Sequence, residues 1–164
     1  MSVTTIVGLI LLSAFVIPAF IVIQKQNKNK KLLEKFLQGL ETEKNIKVTE
    51  HETWRNKVIG IDYPGQKALF VIRDKTRNEI QIIDLKHVSG CSVEKSVVTS
   101  EFDKSVQAVS AIRIRFRGRD KAHPDQVFTI FSEDIDMTLG AELRIAEAWV
   151  AKFSKGLRRI QDAA

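Results

Sequence analysis

The chain has 164 residues, with 26 Lys+Arg against 20 Asp+Glu for a net charge of +6, and a single cysteine. That length holds one ordinary domain, or a smaller domain with an appendage, and one cysteine excludes an intramolecular disulfide framework. Hydrophobic content of 44% and charge of 28% exclude wholesale disorder, because there is enough apolar surface to build a core.

Val3 to Ile23 is a run of 21 residues without a charged side chain. As a helix it would span ~30 Å, the thickness of a bilayer's hydrocarbon core. A cleaved signal peptide would begin with a positive charge, carry a shorter apolar stretch and end in small residues. None of these holds here, so residues 1–24 read as a retained transmembrane anchor. Lys25, Lys28, Lys30, Lys31 and Lys35 follow it directly. The positive-inside rule then puts the N-terminus outside and the remainder in the cytoplasm, at the cell inner membrane. The lone Cys91 fits a reducing compartment.

Residues 25–48 carry seven lysines and three glutamates, a net +4, whereas residues 49–164 carry only +2. Leu32, Leu33, Phe36, Leu37 and Leu40 share one side of a helix expected from about Asn27 to Glu43. Such a helix can lie on an anionic leaflet with its lysines at the headgroups. It can also pack on the domain that follows, or pair with a second copy.

From about residue 48 the period drops to two. Six strands are expected: Trp54–Asp62, Lys67–Arg73, Glu79–Leu85, Val88–Val98, Val106–Arg117 and Val127–Phe131. Tyr63-Pro64-Gly65-Gln66 is expected as a type II turn with Gly65 at positive φ, and Gly90 as a bend or bulge. A helix follows from about Thr138 to Ile160, its apolar stripe running Leu139, Leu143, Ala146, Val150, Phe153, Leu157 and Ile160 with Trp149 at its edge. Glu142, Arg144, Glu147 and Lys152 are expected to point away from it. Short antiparallel strands closed by one helix predict a mainly-β sandwich or barrel over residues 49–164.

The opening WRNKVIGIDYPGQKALFVIR, the EIQIIDLKHVSGCSV stretch and the ending AEAWVAKF, with Trp149 inside the last helix, resemble the pleckstrin-homology-like superfold and its bacterial members. The resemblance implies a seven-stranded antiparallel sandwich or barrel capped by a long C-terminal helix, and a use in recognition. It implies a seventh strand, in residues 47–53 or near Glu94–Thr99. The phosphoinositide-binding form carries a basic pattern around its first hairpin loop. Here Lys67, Arg73 and Lys75 occupy that region, with Lys75 where arginine is expected.

The chain contains no Gly-x-Ser-x-Gly elbow, Walker loop, Gly-x-Gly-x-x-Gly or His-Glu-x-x-His, and it is read as non-enzymatic, taking no cofactor and no metal. Cys91 reads as a small core residue, His51, His87 and His123 as scattered, and Asp120–Asp125 as a polar hairpin loop. In Ile112–Arg119 the arginines 113, 115 and 117 share one face of a strand at ~6.6–7 Å spacing. That ladder can hold phosphates or an acidic partner, or it faces cross-strand acids such as Glu94 and Glu133, or water. The aromatic residue among them, Phe116, falls on the opposite face with Ile112 and Ile114, so the arginine face has no stacking platform, which argues against nucleic acid.

These features predict a single-pass membrane protein whose cytoplasmic module binds a protein partner or anionic lipid headgroups. The alternative is a structural accessory subunit of a membrane enzyme or transporter.

Overall fold

A computed structural model describes residues 35, 37–39, 43–44, 46–73, 78–99 and 107–162. It contains β1 (Glu50–Trp54), β2 (Lys57–Asp62), β3 (Lys67–Arg73), β4 (Asn78–Asp84), β5 (Val88–Thr99), β6 (Gln107–Gly118), β7 (Gln126–Ser132) and α1 (Glu142–Asp162). Two antiparallel sheets result, ordered β1-β2-β3-β4 and β5-β6-β7. A short 3-10 turn at Leu85–His87 carries the chain from one to the other. Residues 3–23 lie outside the described residues. Among the described residues no helix is long and apolar enough to cross a membrane.

Seven strands replace the six expected from periodicity. The extra strand is β1, at one of the two places the resemblance implies: a turn at Arg55 and Asn56 shortens the expected Trp54–Asp62 strand to Lys57–Asp62 and leaves Trp54 as the last residue of β1. Trp54 pairs with Lys57 across Arg55 and Asn56. This turn has neither Gly nor Pro to announce it. Arg55 instead takes φ 48°, a conformation that a side chain with a Cβ adopts at some cost. The next turn also differs from expectation. Gly65 has no positive φ and Gln66 holds φ 56°. The Gln66 N–H closes the turn on the Tyr63 carbonyl (3.3 Å). Glycine is required at 65 for space, since a Cβ there would collide with the Asp62 carboxylate, which accepts from the Gly65 N–H (2.7 Å). Gly90 behaves as expected, beside a register shift between Val88 and Gly90.

Both faces of β2 and β3 are buried, which is why their sequences are nearly continuous apolar runs. Ile59, Ile61, Ala68, Phe70 and Ile72 face the core between the sheets. Val58, Leu69 and Val71 face outward, and there Leu37 packs on them, with Val48 alongside. Lys35, residues 37–39 and residues 43–44 are helical. Of the three arrangements open to the amphipathic helix, its described part therefore adopts docking on its own domain. Leu37 and Ile46 are only 4% and 3% exposed.

The core between the sheets is aromatic and continuous. Trp54 meets Phe70, which stacks on Phe128; Phe116 and Phe153 carry the contact to Trp149 on α1, at centroid separations of 4.8–6.2 Å. α1 packs chiefly on β5 and β6 and reaches β1 through side chains. The Trp149 indole donates to Glu52 (2.9 Å), and Lys152 pairs with Glu50 (3.0 Å) while lying over the Trp149 ring. The helix starts at Glu142 rather than Thr138, so Leu139 is exposed and outside the stripe. Trp149 sits fully buried at the stripe's centre.

Glu142, expected to face solvent, is 1% exposed. It belongs to a buried network that no local pattern signalled. Lys57 Nζ contacts both carboxylate oxygens of Asp136 (2.7 and 2.6 Å) and the Ile130 carbonyl (3.0 Å). Asp136 also accepts from the Ser132 N–H (3.1 Å). Arg55 pairs with Glu142 (3.4 Å) and donates to the Thr138 carbonyl (2.8 Å). The β1–β2 turn is thereby bound to the β7–α1 loop, and these contacts hold Arg55 in its unusual backbone conformation.

Candidate functional site

On β6, Ile112, Ile114 and Phe116 enter the core and are at most 1% exposed, so the arginines between them occupy the outer face. They do not form a free cationic ladder. Arg113 stands opposite Glu94 in register, is half-buried and donates to Ser96 Oγ (3.0 Å). Arg115 pairs with Glu94 (2.6 Å) and Asp125 (3.4 Å). Arg117 is exposed, with no ion pair among the described residues. The cross-strand acid reading therefore describes Arg115 and names the correct acid in Glu94; Glu133 has no such role.

Lys67 and Arg73 do not converge. They stand at opposite ends of β3, ~20 Å apart at the rise of an extended strand. Lys67 adjoins the Pro-Gly turn, whereas the Arg73 N–H bonds the Asn56 carbonyl beside the β1–β2 turn. Lys75 lies outside the described residues, as do Lys25, Lys28, Lys30 and Lys31. Lys35 is helical and exposed.

The more concentrated feature is a cleft that sequence reasoning missed. β4 and β7 are each the last strand of their sheet. Between them opens a cleft of about 420 Å³, lined by Ile80, Gln81, Ile82, Ile83, Gln126 and Val127. Glu79 and Gln81 pair in register with Ile72 and Phe70, so both point to the core side of their sheet. The Gln81 amide donates to Glu79 (2.5 Å). Its own oxygen is buried and accepts no hydrogen bond among the described residues. Such an oxygen costs about 1–3 kcal/mol unless a donor reaches it. In the sequence Ile80 and Ile82 alternate as core residues would, which conceals this arrangement.

A smaller recess of about 270 Å³ lies between the β2–β3 turn and the end of α1, lined in part by Tyr63, Gln66 and Arg159. The Arg159 guanidinium lies over the Tyr63 ring. Burial, with Glu50 beside it, raises the Tyr63 phenol above its usual range. Cys91 is half-buried against the core, its thiol pushed up by burial and near Ser154 Oγ (3.5 Å).

The histidines are less scattered than their spacing implied: His87 and His123 stack in parallel at 3.8 Å. Asp120 bonds His123 Nδ1 (2.9 Å), and that bond holds its carboxyl below the usual range. Asp125 instead accepts from the Gly118 N–H (3.0 Å). Among the described residues no three His, Cys, Asp or Glu side chains are grouped to hold a metal.

No protein-family model matches the chain, and searches of curated proteins and of solved structures return no significant match.

Proposed function

We propose that this chain is a membrane-anchored binding module of pleckstrin-homology-like architecture. Its N-terminal segment crosses the inner membrane with the N-terminus outside, and its domain takes a protein segment in extended form at the β4–β7 cleft. The order of four strands, three strands and a terminal helix with a buried tryptophan supports the architectural part of this reading. The observation that carries the binding part is the unpartnered Gln81 oxygen in the wall of a cleft bounded by two outer strands. Outer strands present backbone donors and acceptors that an added strand can pair. Neither NEIQIID nor QVFTIFS contains the Lys or Pro that commonly blunts such edges. Protein is favoured over anionic headgroups because Arg115 is already engaged by two carboxylates, and Lys67 and Arg73 are far apart.

The test is site-specific photo-crosslinking of the full-length protein in cells, with a photoreactive residue at Ile80 or at Arg117. Crosslinking to one defined protein from position 80, lost on Ile82→Lys, supports the reading. Crosslinking from position 117 alone sinks it. Vesicle flotation of residues 35–164, which lack the apolar run, addresses headgroups: salt-sensitive binding that is lost in Arg113/Arg115/Arg117→Ala would favour lipid over protein.

A further inference from the structure

Six large hydrophobic side chains are exposed among the described residues, and five of them, Val97, Val98, Ile135, Met137 and Leu139, gather at one end of the sandwich. β7 ends at Ser132 opposite Ala111, whereas β5 and β6 continue pairing through Val97–Val109 and Val98–Ala108. The β5–β6 hairpin therefore projects beyond β7. The Glu133 N–H bonds the Ser110 carbonyl (2.9 Å), keeping the loop after β7 beside that projection.

The loop is built to display its apolar residues. Asp136 is held inward by Lys57 and the Ser132 N–H, and Thr138 is held by Arg55. Ile135, Met137 and Leu139 alternate with these anchored residues and are left facing water, Met137 at 99% exposure. A loop free to collapse would cover them. Apolar groups held in solvent at one end of a domain mark a surface that something else buries.

The chain's own path indicates what that is. The Lys47 N–H bonds Asp62 at the far end of β2 (3.0 Å), whereas Leu37 packs with Val58 and Val71, nearer the Arg55 end. Followed backwards, the chain climbs the outer face of the four-stranded sheet toward the end that carries Met137. Residues 24–34 then join Lys35 to the apolar run of residues 3–23, a reach of at most about 40 Å.

We propose that this end of the domain inserts its apolar side chains into the interfacial layer of the membrane that holds the N-terminal segment. The inference rests on the anchor reading above. Exposed Glu133 and Asp134 border the patch, so insertion is driven by apolar area and needs no anionic lipid. The domain would then be held with its Arg55 end toward the bilayer and its Gly118–Asp125 loop away from it.

The test uses the full chain carrying Cys91→Ser and a polarity-sensitive fluorophore at Met137→Cys or, as control, at Lys121→Cys, reconstituted in phosphatidylcholine vesicles. Insertion predicts a blue-shifted label at 137, quenched several-fold more by shallow acyl-chain nitroxides than the label at 121, with no loss at high salt. If the chain survives an alkaline wash but both labels report water, the anchor stands and the docking is overturned. If the wash removes the chain, both fall. A shift at 137 that appears only on adding a second membrane protein also overturns membrane docking, in favour of a protein partner.

Discussion

Trp149 on α1 donates its indole N–H to Glu52 on β1 (2.9 Å), a contact spanning 97 residues of sequence. It joins the first strand of one sheet to a helix that packs mainly on the other, and so closes one side of the sandwich. The indole ends the aromatic chain that begins at Trp54 and is fully buried. Trp149→Ala should cost about 3–5 kcal/mol, the range for emptying a large aromatic site. Trp149→Phe should cost less but leave Glu52 without its donor, so Glu52→Leu added to it should recover part of the loss. Denaturant titration of the four proteins checks both statements.

The Lys57–Asp136 pair predicts strong coupling. Asp136→Leu leaves the Lys57 ammonium without a counter-charge in the interior and should destabilise by about 3–5 kcal/mol; Lys57→Met should cost less, because Asp136 keeps Arg55 at 3.9 Å. The double variant should be more stable than the sum of the singles requires, because no lone charge remains. A double-mutant cycle giving simple additivity would show that the two groups do not act together.

Leu37 predicts that the segment before the domain is part of its fold. Leu37→Ala should cost about 2 kcal/mol or more. Leu37→Asp should release the segment and bare Val58, Leu69 and Val71. Hydrogen exchange is the sensitive readout: amides of the helical residues 37–39 and 43–44 should lose protection in Leu37→Asp while those of β6 keep theirs.

Glu50 predicts an acid limb. The Lys152 hydrogen bond holds its carboxyl below the usual 4.5, with Tyr63 and Lys155 adding to the effect. A carboxylate lowered in the folded state contributes stability that is present above its ordinary range. That contribution is lost as pH falls through the range toward the lowered value. Melting temperature measured against pH should therefore fall on acidification in part through this residue, and Glu50→Gln should make that fall shallower. Because the pair is well exposed, the effect should be small and salt-sensitive.

Arg115 predicts little. Its pairs with Glu94 and Asp125 are exposed, so Arg115→Ala should change stability by about 1 kcal/mol or less in a melt.

Several elements are legible in the amino-acid sequence because each depends on neighbours along the chain. The unbroken apolar run of KALFVIR, closed by a basic residue at each end, yields β3 with its end residues correct, and the repeat from Leu143 to Ile160 yields the body of α1. The apolar residues of Ile112–Phe116 identify their own inward face. The +4 on residues 25–48 is likewise a property of composition alone. What the tertiary structure decided depends on surfaces meeting across long separations. Lys57 is buried because Asp136, 79 residues away, arrives beside it. Arg55 turns the chain without glycine because Glu142 and Thr138 hold its guanidinium. Arg115 is engaged because register sets Glu94 next to it, and Gln81 faces the core side because β4 pairs with β3 in one register. No local period carries such information. Periodicity determines which residues an element hides, while the assembly of the two sheets determines which partner, or which opening, each side chain meets.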